Sequence, residues 1–199
     1  RSFWLLVIGF GLNSAALASL LVHAIPVATE AGFSRNIAAI ALTTAGIGNL
    51  ASKFVWGYSL QRFEPRILAL IAFSISATSV GLIIVSSSTS QTSILWAAFL
   101  FWGFGFGATI PLSGFLWAKY FGRHHIGSIK GVGQALTTIG IFLGPVLVGY
   151  WFDVSLTYQP ALITIMGLYI AGAIFIWVSR EPNKIPQVLN IKSKTNNRI

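Results

Sequence analysis

Long apolar blocks, separated by short polar interruptions, dominate the pattern along this chain. Six blocks run at about 3–25, 37–60, 66–86, 92–118, 127–151 and 157–179. Each is long enough to cross the hydrocarbon of a bilayer, which takes about 20 mostly apolar helical residues. The stretches between them, Pro26 to Asn36, Gln61 to Pro65, Ser87 to Gln91, Lys119 to Ile126 and Phe152 to Leu156, are short. Backbone polar groups in lipid must be satisfied locally, so the expected fold is all-α: an integral membrane bundle of six transmembrane helices over residues 1–181. Ala16-Leu17-Ala18 has the small-x-small form of a leader cleavage site, but the apolar run continues to Ala28, longer than a signal core.

Composition agrees with this pattern. Of 199 residues, 55% are hydrophobic and only 9% charged, against roughly 25% charged in soluble domains. A net charge of +9 in a soluble protein would point to nucleic acid. Here the cations sit at alternate helix ends, which argues for orientation and against a nucleic-acid partner. One side takes Arg1, Lys53, Arg62, Arg66, Lys119, Arg123, Lys130 and the cations from Arg180 onward, and the other takes only Arg35. The positive-inside rule then puts both chain ends in the cytoplasm, with the helices in the cell (inner or plasma) membrane. Residues 182–199 turn abruptly to Pro, Asn, Ser and Lys, the composition of a disordered basic cytoplasmic tail. There is no cysteine, so disulfides and thiolate chemistry are excluded.

Glycine is dense inside the blocks. Gly103 with Gly107 and Gly140 with Gly144 are four apart, a spacing that lets helix backbones approach closely. The Gly-x-Gly-x-Gly run at Gly103–Gly107 has the wrong spacing and context for a dinucleotide fingerprint. Pro111 and Pro145 remove backbone donors from the fourth and fifth spans, and each is a candidate kink. Trp4, Trp56, Trp151 and Trp177 fall where interfacial aromatic belts would lie.

Function is sought where polarity costs energy. A lysine at mid-membrane costs about 2.5–3.5 kcal/mol on insertion scales, so Lys53 needs a reason. Asn49, four residues earlier, shares its helix face. The pair suits an anionic ligand, while a snorkelling ammonium is the structural alternative. Asn13, Thr109, Ser113, Gln134, Thr137 and Thr138 could hydrogen-bond a solute or tie helices together. His23 is a candidate proton-linked group near the outer end of the first span, and Lys130 reads as an anchor at the start of the fifth. Glu30, Glu64, Asp153 and Glu181 all fall in loops or at span ends, so no carboxylate relay is visible. A rhomboid-type protease would need Gly-x-Ser-Gly and a histidine on another span. Pro111-Leu112-Ser113-Gly114 lacks the first glycine and the sixth span lacks histidine. No enzyme, metal site or cofactor is expected.

Three segments carry a family resemblance. The second span and its exit read Gly46-Ile47-Gly48-Asn49-Leu50-Ala51-Ser52-Lys53-Phe54-Val55-Trp56-Gly57, then Gln61-Arg62-Phe63-Glu64-Pro65-Arg66. Phe101-Trp102-Gly103-Phe104-Gly105-Phe106-Gly107 begins a later helix, and Gly127-Ser128-Ile129-Lys130-Gly131 is followed by Gly144-Pro145 and Gly149-Tyr150-Trp151-Phe152-Asp153. Together they resemble helices seven to twelve of the major facilitator superfamily, in particular its monocarboxylate-transporter-like and oxalate/formate-antiporter-like branch.

The resemblance implies the C-terminal half of a twelve-helix carrier, working by alternating access against an N-terminal six-helix half. Six further hydrophobic segments and a basic linker are expected upstream of Arg1. It implies a secondary active transporter whose solute is a small organic anion, a carboxylate. Lys53 stands where that branch has a substrate-pairing arginine and Asn49 where it has an aspartate. These departures lose the planar two-bond grip and the acid of proton coupling. Phe104 and Phe106 are candidate walls of the pathway, and Asn13, Thr109 and Gln134 weaker polar contacts. Gly57, Arg62, Gly144 and Pro145 belong to the loop and bending motifs, with Gln61 replacing the loop's usual aspartate. Carriers of a neutral or cationic solute such as a drug or sugar, and a non-transporting receptor or scaffold, are the alternatives.

Overall fold

A computed structural model of the chain describes residues 1–122 and 126–181. The expected disordered tail at 182–199, and Arg123 of the charge count, lie outside the described residues. Among the described residues every regular element is a helix: α1 (Ser2–Glu30), α2 (Arg35–Ser59), α3 (Pro65–Thr89), α4 (Thr92–Phe106), α5 (Thr109–Phe121), α6 (Ile126–Ser155) and α7 (Gln159–Val178). With α4 and α5 taken as one broken span, six spans are long and apolar enough to cross a membrane, as expected.

Several helices run a few residues past the expected span ends, and two features depart further from the sequence reading. Pro26 is not in a connection but inside α1, which runs on to Glu30. Thr29 Oγ1 donates to the Ile25 and Pro26 carbonyls at 3.0 and 3.1 Å. The helix stops only at Gly32, whose φ of +88° is the left-handed conformation that a side chain disfavours. There the Phe33 N–H reaches back to the Ala28 carbonyl, and the buried Phe33 ring seals the end. The second departure is the fourth span, which is two helices joined at Gly107–Ala108. The break precedes Pro111 because a proline has no N–H for the carbonyl four residues back, here Gly107. By contrast α6 passes through Pro145 as one element.

The helices surround two apolar clusters. Trp102 at the centre of one is fully buried, with its indole N–H satisfied by the Tyr169 hydroxyl at 2.9 Å. Phe73, Leu112 and Trp117 anchor the other. Helix α1 packs on α6 and α7, α3 on α4 and α7, and α2 on α4. The α2–α4 crossing is close because α2 turns a stripe of small residues inward: Ala38, Ala41, Ala45, Gly48 and Ser52. A Cβ on Gly103 would strike the Ala45 backbone, and one on Gly107 would strike Ser52 Oγ. At the α1–α6 crossing, a Cβ on Gly140 would lie 2.5 Å from the Gly11 carbonyl oxygen, and one on Gly144 2.5 Å from that of Ala15. Both glycine pairs therefore do the packing their spacing implied.

The outside of the bundle is as apolar as the inside. Phe54 is 80% exposed, and Phe142, Leu50 and Val146 are nearly as open. Such surface is stable only against lipid or further protein.

Candidate substrate site

The break in the fourth span uncovers two carbonyls, and α2 supplies a donor for each. Ala108 N–H bonds back to Gly105 O and not to Phe104 O, leaving the Phe104 carbonyl without its helical partner. Trp56 Nε1 donates to it at 2.8 Å. One turn earlier on α2, the Lys53 ammonium donates to the Gly107 carbonyl at 2.9 Å. The half-buried Lys53 thus rests its ammonium on the broken helix. Asn49, also half-buried, lies one turn further from the basic end.

Beside the break, α1, α5 and α6 enclose a recess of ≈ 220 Å³. Its polar lining is Ser14, Thr109, Ser113, Lys130, Gln134 and Thr137, set among Phe10, Ile110 and Trp117. Thr109 and Ser113 are four apart on α5, and Lys130, Gln134 and Thr137 follow at spacings of four and three on α6, so each set shares a helix face. Thr137 Oγ1 and Thr138 Oγ1 both donate to the Gln134 carbonyl, at 2.9 and 2.8 Å. Lys130 is half-buried and, among the described residues, has no ion-pair or hydrogen-bond partner. Behind the recess Asn13 is fully buried, and its Nδ2 donates to Thr109 Oγ1 at 3.2 Å. Its Oδ1 is buried without a hydrogen-bond partner among the described residues.

The residues expected from sequence therefore divide. Thr109 and Gln134 line the recess, and Asn13 touches it through Thr109. Lys53 and Asn49 sit on the far side of the α4–α5 break. Phe104 packs on Trp56, with centroids 5.6 Å apart, and Phe106 on Trp102 at 4.8 Å, so both rings serve helix packing. His23 has both nitrogens engaged, Nδ1 with the Tyr158 hydroxyl at 3.2 Å and Nε2 with the Pro145 carbonyl at 3.1 Å. A carbonyl can only accept, so Nε2 carries the proton in the neutral ring and Tyr158 donates to Nδ1. Gly144 is buried against α1, whereas Gly57 and Arg62 lie at the basic end, Arg62 with its guanidinium 4.5 Å over the Tyr58 ring. Among the polar lining residues, Lys130 was expected only as an anchor, and Ser14 was not singled out. The 130-134-137 spacing on one face of a helix was the signal that could have found Lys130.

The charge pattern is also spatial. Arg1, Arg62, Arg66, Lys119 and Arg180 all gather at one end, tied by Lys119 Nζ to both oxygens of Glu64 at 2.8 and 2.9 Å and by Ser2 Oγ to the Arg180 carbonyl at 2.6 Å. The hydrogen bond from Lys119 holds the Glu64 carboxyl below its ordinary pKa. Glu30, Arg35 and Asp153 mark the opposite end.

Six spans long and apolar enough to cross a bilayer, with apolar outer faces, define an integral membrane protein. The chain matches the Major Facilitator Superfamily over residues 3–197 and belongs to that family; it is a transporter-family protein and not an enzyme. It is similar to the Quinolone resistance protein NorA of Staphylococcus aureus, at 25% identity over 177 residues for strain COL and 24% for strain MSSA476. Each match covers 88% of this chain but 43% of the relative, so the chain spans less than half the length of the curated relatives it matches.

Proposed function

We propose that this chain is the C-terminal half of a secondary active carrier for small organic anions, acting by alternating access against an N-terminal six-helix half. The observation that carries the reading is Lys130. It is a half-buried ammonium without a protein counter-ion among the described residues, and it lines a recess that also offers five hydroxyl or amide side chains. A carboxylate there would gain charge-assisted hydrogen bonds at Lys130 and neutral ones from Thr109, Ser113 and Gln134. The acids Glu30, Glu64 and Asp153 stand at helix ends, so a cationic solute would meet no counter-charge from this recess. Lys53 is the second cation of the proposal. Its ammonium is held on the Gly107 carbonyl, and transfer to a solute carboxylate would couple binding to the break in the fourth span. Asn49 is its hydrogen-bonding neighbour, and Phe104 and Phe106 shape the adjoining helix. The small number of matched motif residues favours the monocarboxylate-transporter-like branch less than the recess favours an anion.

The gathering of cations at one end supports an orientation with that end, and both chain ends, in the cytoplasm of a cell membrane. A second reading is export of a drug-like compound, favoured by the name of the relatives and by the aromatic and aliphatic half of the recess lining. Uptake of labelled carboxylates and of quinolone compounds by proteoliposomes carrying the whole protein, with and without a proton gradient, separates the two. Carboxylate flux supports the first reading. Flux confined to quinolones supports the second, and the absence of any flux supports a receptor or scaffold.

A further inference from the structure

At the basic end, α3 and α7, neither of which lines the recess, run antiparallel and leave a hollow of ≈ 350 Å³. Glu64, Arg66, Ile67, Trp177, Val178 and Arg180 line it. Its charge is lopsided, because the single lining carboxylate already takes both of its short bonds from Lys119, outside the hollow. Two guanidiniums remain. Arg66 is pinned in place by one bond, Nη1 to the Ser179 carbonyl at 3.0 Å, which fixes its fork and leaves its other N–H groups available. The same carbonyl accepts from the buried Tyr120 hydroxyl at 3.0 Å, so the anchor itself is rigid. The exposed Arg180 side chain has no protein partner among the described residues.

Residue spacing on the packed helices α3 and α7 continues the hollow as an apolar furrow along their outer face. Ile71 lies one turn beyond Ile67 on α3, and Ile174 and Ile170 lie one and two turns before Val178 on α7. All are substantially exposed, and Trp177, half exposed, stands beside the guanidiniums at the level where indoles meet headgroups. A charged fork, an interfacial indole and a furrow of branched aliphatic side chains lie in the order phosphate, glycerol and acyl chain.

We propose that this hollow is a binding site for an anionic phospholipid, with Arg66 and Arg180 on the headgroup phosphates and the isoleucine furrow along an acyl chain. Charge complementarity selects the occupant. A zwitterionic lipid brings its own cation into a hollow that already holds two, whereas an anionic one does not. Free phosphate shares the headgroup chemistry but makes no use of the furrow.

The test uses the full-length protein in nanodiscs of phosphatidylcholine. A tenth of the lipid is replaced by brominated phosphatidylglycerol or, in a parallel sample, by brominated phosphatidylcholine. Bromine quenches indole fluorescence on contact, and subtracting the Trp177→Phe protein isolates the Trp177 signal. The expected result is stronger Trp177 quenching by the brominated anionic lipid, with Arg180→Gln lowering that preference about fivefold, as one arginine near a charged surface contributes. Arg66→Gln lowers it further, but it also removes the Ser179 tie. Arg180→Gln, which breaks no side-chain hydrogen bond or ion pair among the described residues, is therefore the deciding variant. Equal quenching by the two lipids, an unchanged preference in Arg180→Gln, or displacement of the lipid by inorganic phosphate would each overturn the proposal.

Discussion

Lys53 on α2 donates to the Gly107 carbonyl at 2.9 Å, and Gly107 lies four residues before Pro111. The proline leaves that carbonyl without a helical donor, and a lysine from the neighbouring helix takes the vacant place. Trp56, three residues further along α2, does the same for Phe104. A cation that composition alone would assign to solute or headgroups is thus also part of how the fourth span breaks. The two roles are separable by experiment.

Replacing Lys53 by Met keeps most of the stem but strips the Gly107 carbonyl of its donor. Loss of one such bond in a membrane bundle costs about 0.6–2 kcal/mol. The expected outcome is a lowered unfolding midpoint in detergent together with reduced carboxylate uptake. Lys53→Arg, which still donates, should restore the midpoint. Full stability in Lys53→Met would remove the structural role.

The α2–α4 crossing has no room for a side chain at Gly103. Gly103→Val drives methyl groups into the Ala45 backbone, where a flexible neighbour cannot yield. A loss of about 1–3 kcal/mol or more is expected, read as a fall in thermal midpoint. Gly11→Ala, where a Cβ meets open space, should leave the midpoint nearly unchanged.

The Glu64–Lys119 pair sets a small pH effect at the basic end. The pair lowers the Glu64 pKa, so its contribution is fully present above the ordinary carboxylate value and is lost as pH falls through the lowered one. Both groups are partly solvent-exposed, which limits the tie to about 0.2–1 kcal/mol. Glu64→Gln should therefore lower the midpoint slightly at neutral pH and make no difference in strong acid.

The sequence makes His23 a candidate proton-linked group, and its ring is tied between the Tyr158 hydroxyl and the Pro145 carbonyl. A proton added at Nδ1 would turn it from acceptor to donor toward Tyr158, whose hydroxyl would have to turn round. Tyr158 itself is pushed to a higher pKa by burial first, and by Glu30 and Asp153 as lesser causes, so it stays a neutral partner. His23→Asn is expected to flatten the pH profile of uptake. A profile identical to the unaltered protein would sink the proton link.

Much of the bundle was legible in the sequence. Six spans, their short connections and the glycine pairs all follow from hydropathy and spacing, because lipid imposes one rule on every span. The break at Gly107–Ala108 was less legible. Pro111 announces trouble, but its effect falls a turn upstream, where two more glycines make the backbone permissive. The partner of Lys53 could not be read at all, since it depends on the α2–α4 crossing and not on either helix alone. Lys130 was read as an anchor because it stands near a span end. The broken fourth span brings Thr109 and Ser113 alongside it, and only that makes the position a recess.

The central claim is an anion-selective recess centred on Lys130. Its most direct test is uptake by proteoliposomes of the whole protein, comparing a labelled carboxylate with its neutral amide for the unaltered chain and for Lys130→Gln. Replacing a charged donor by a neutral one should cut carboxylate uptake about tenfold or more while leaving the thermal midpoint in place. Carboxylate uptake that Lys130→Gln leaves unaltered, or wild-type flux of the amide alone, would contradict the account.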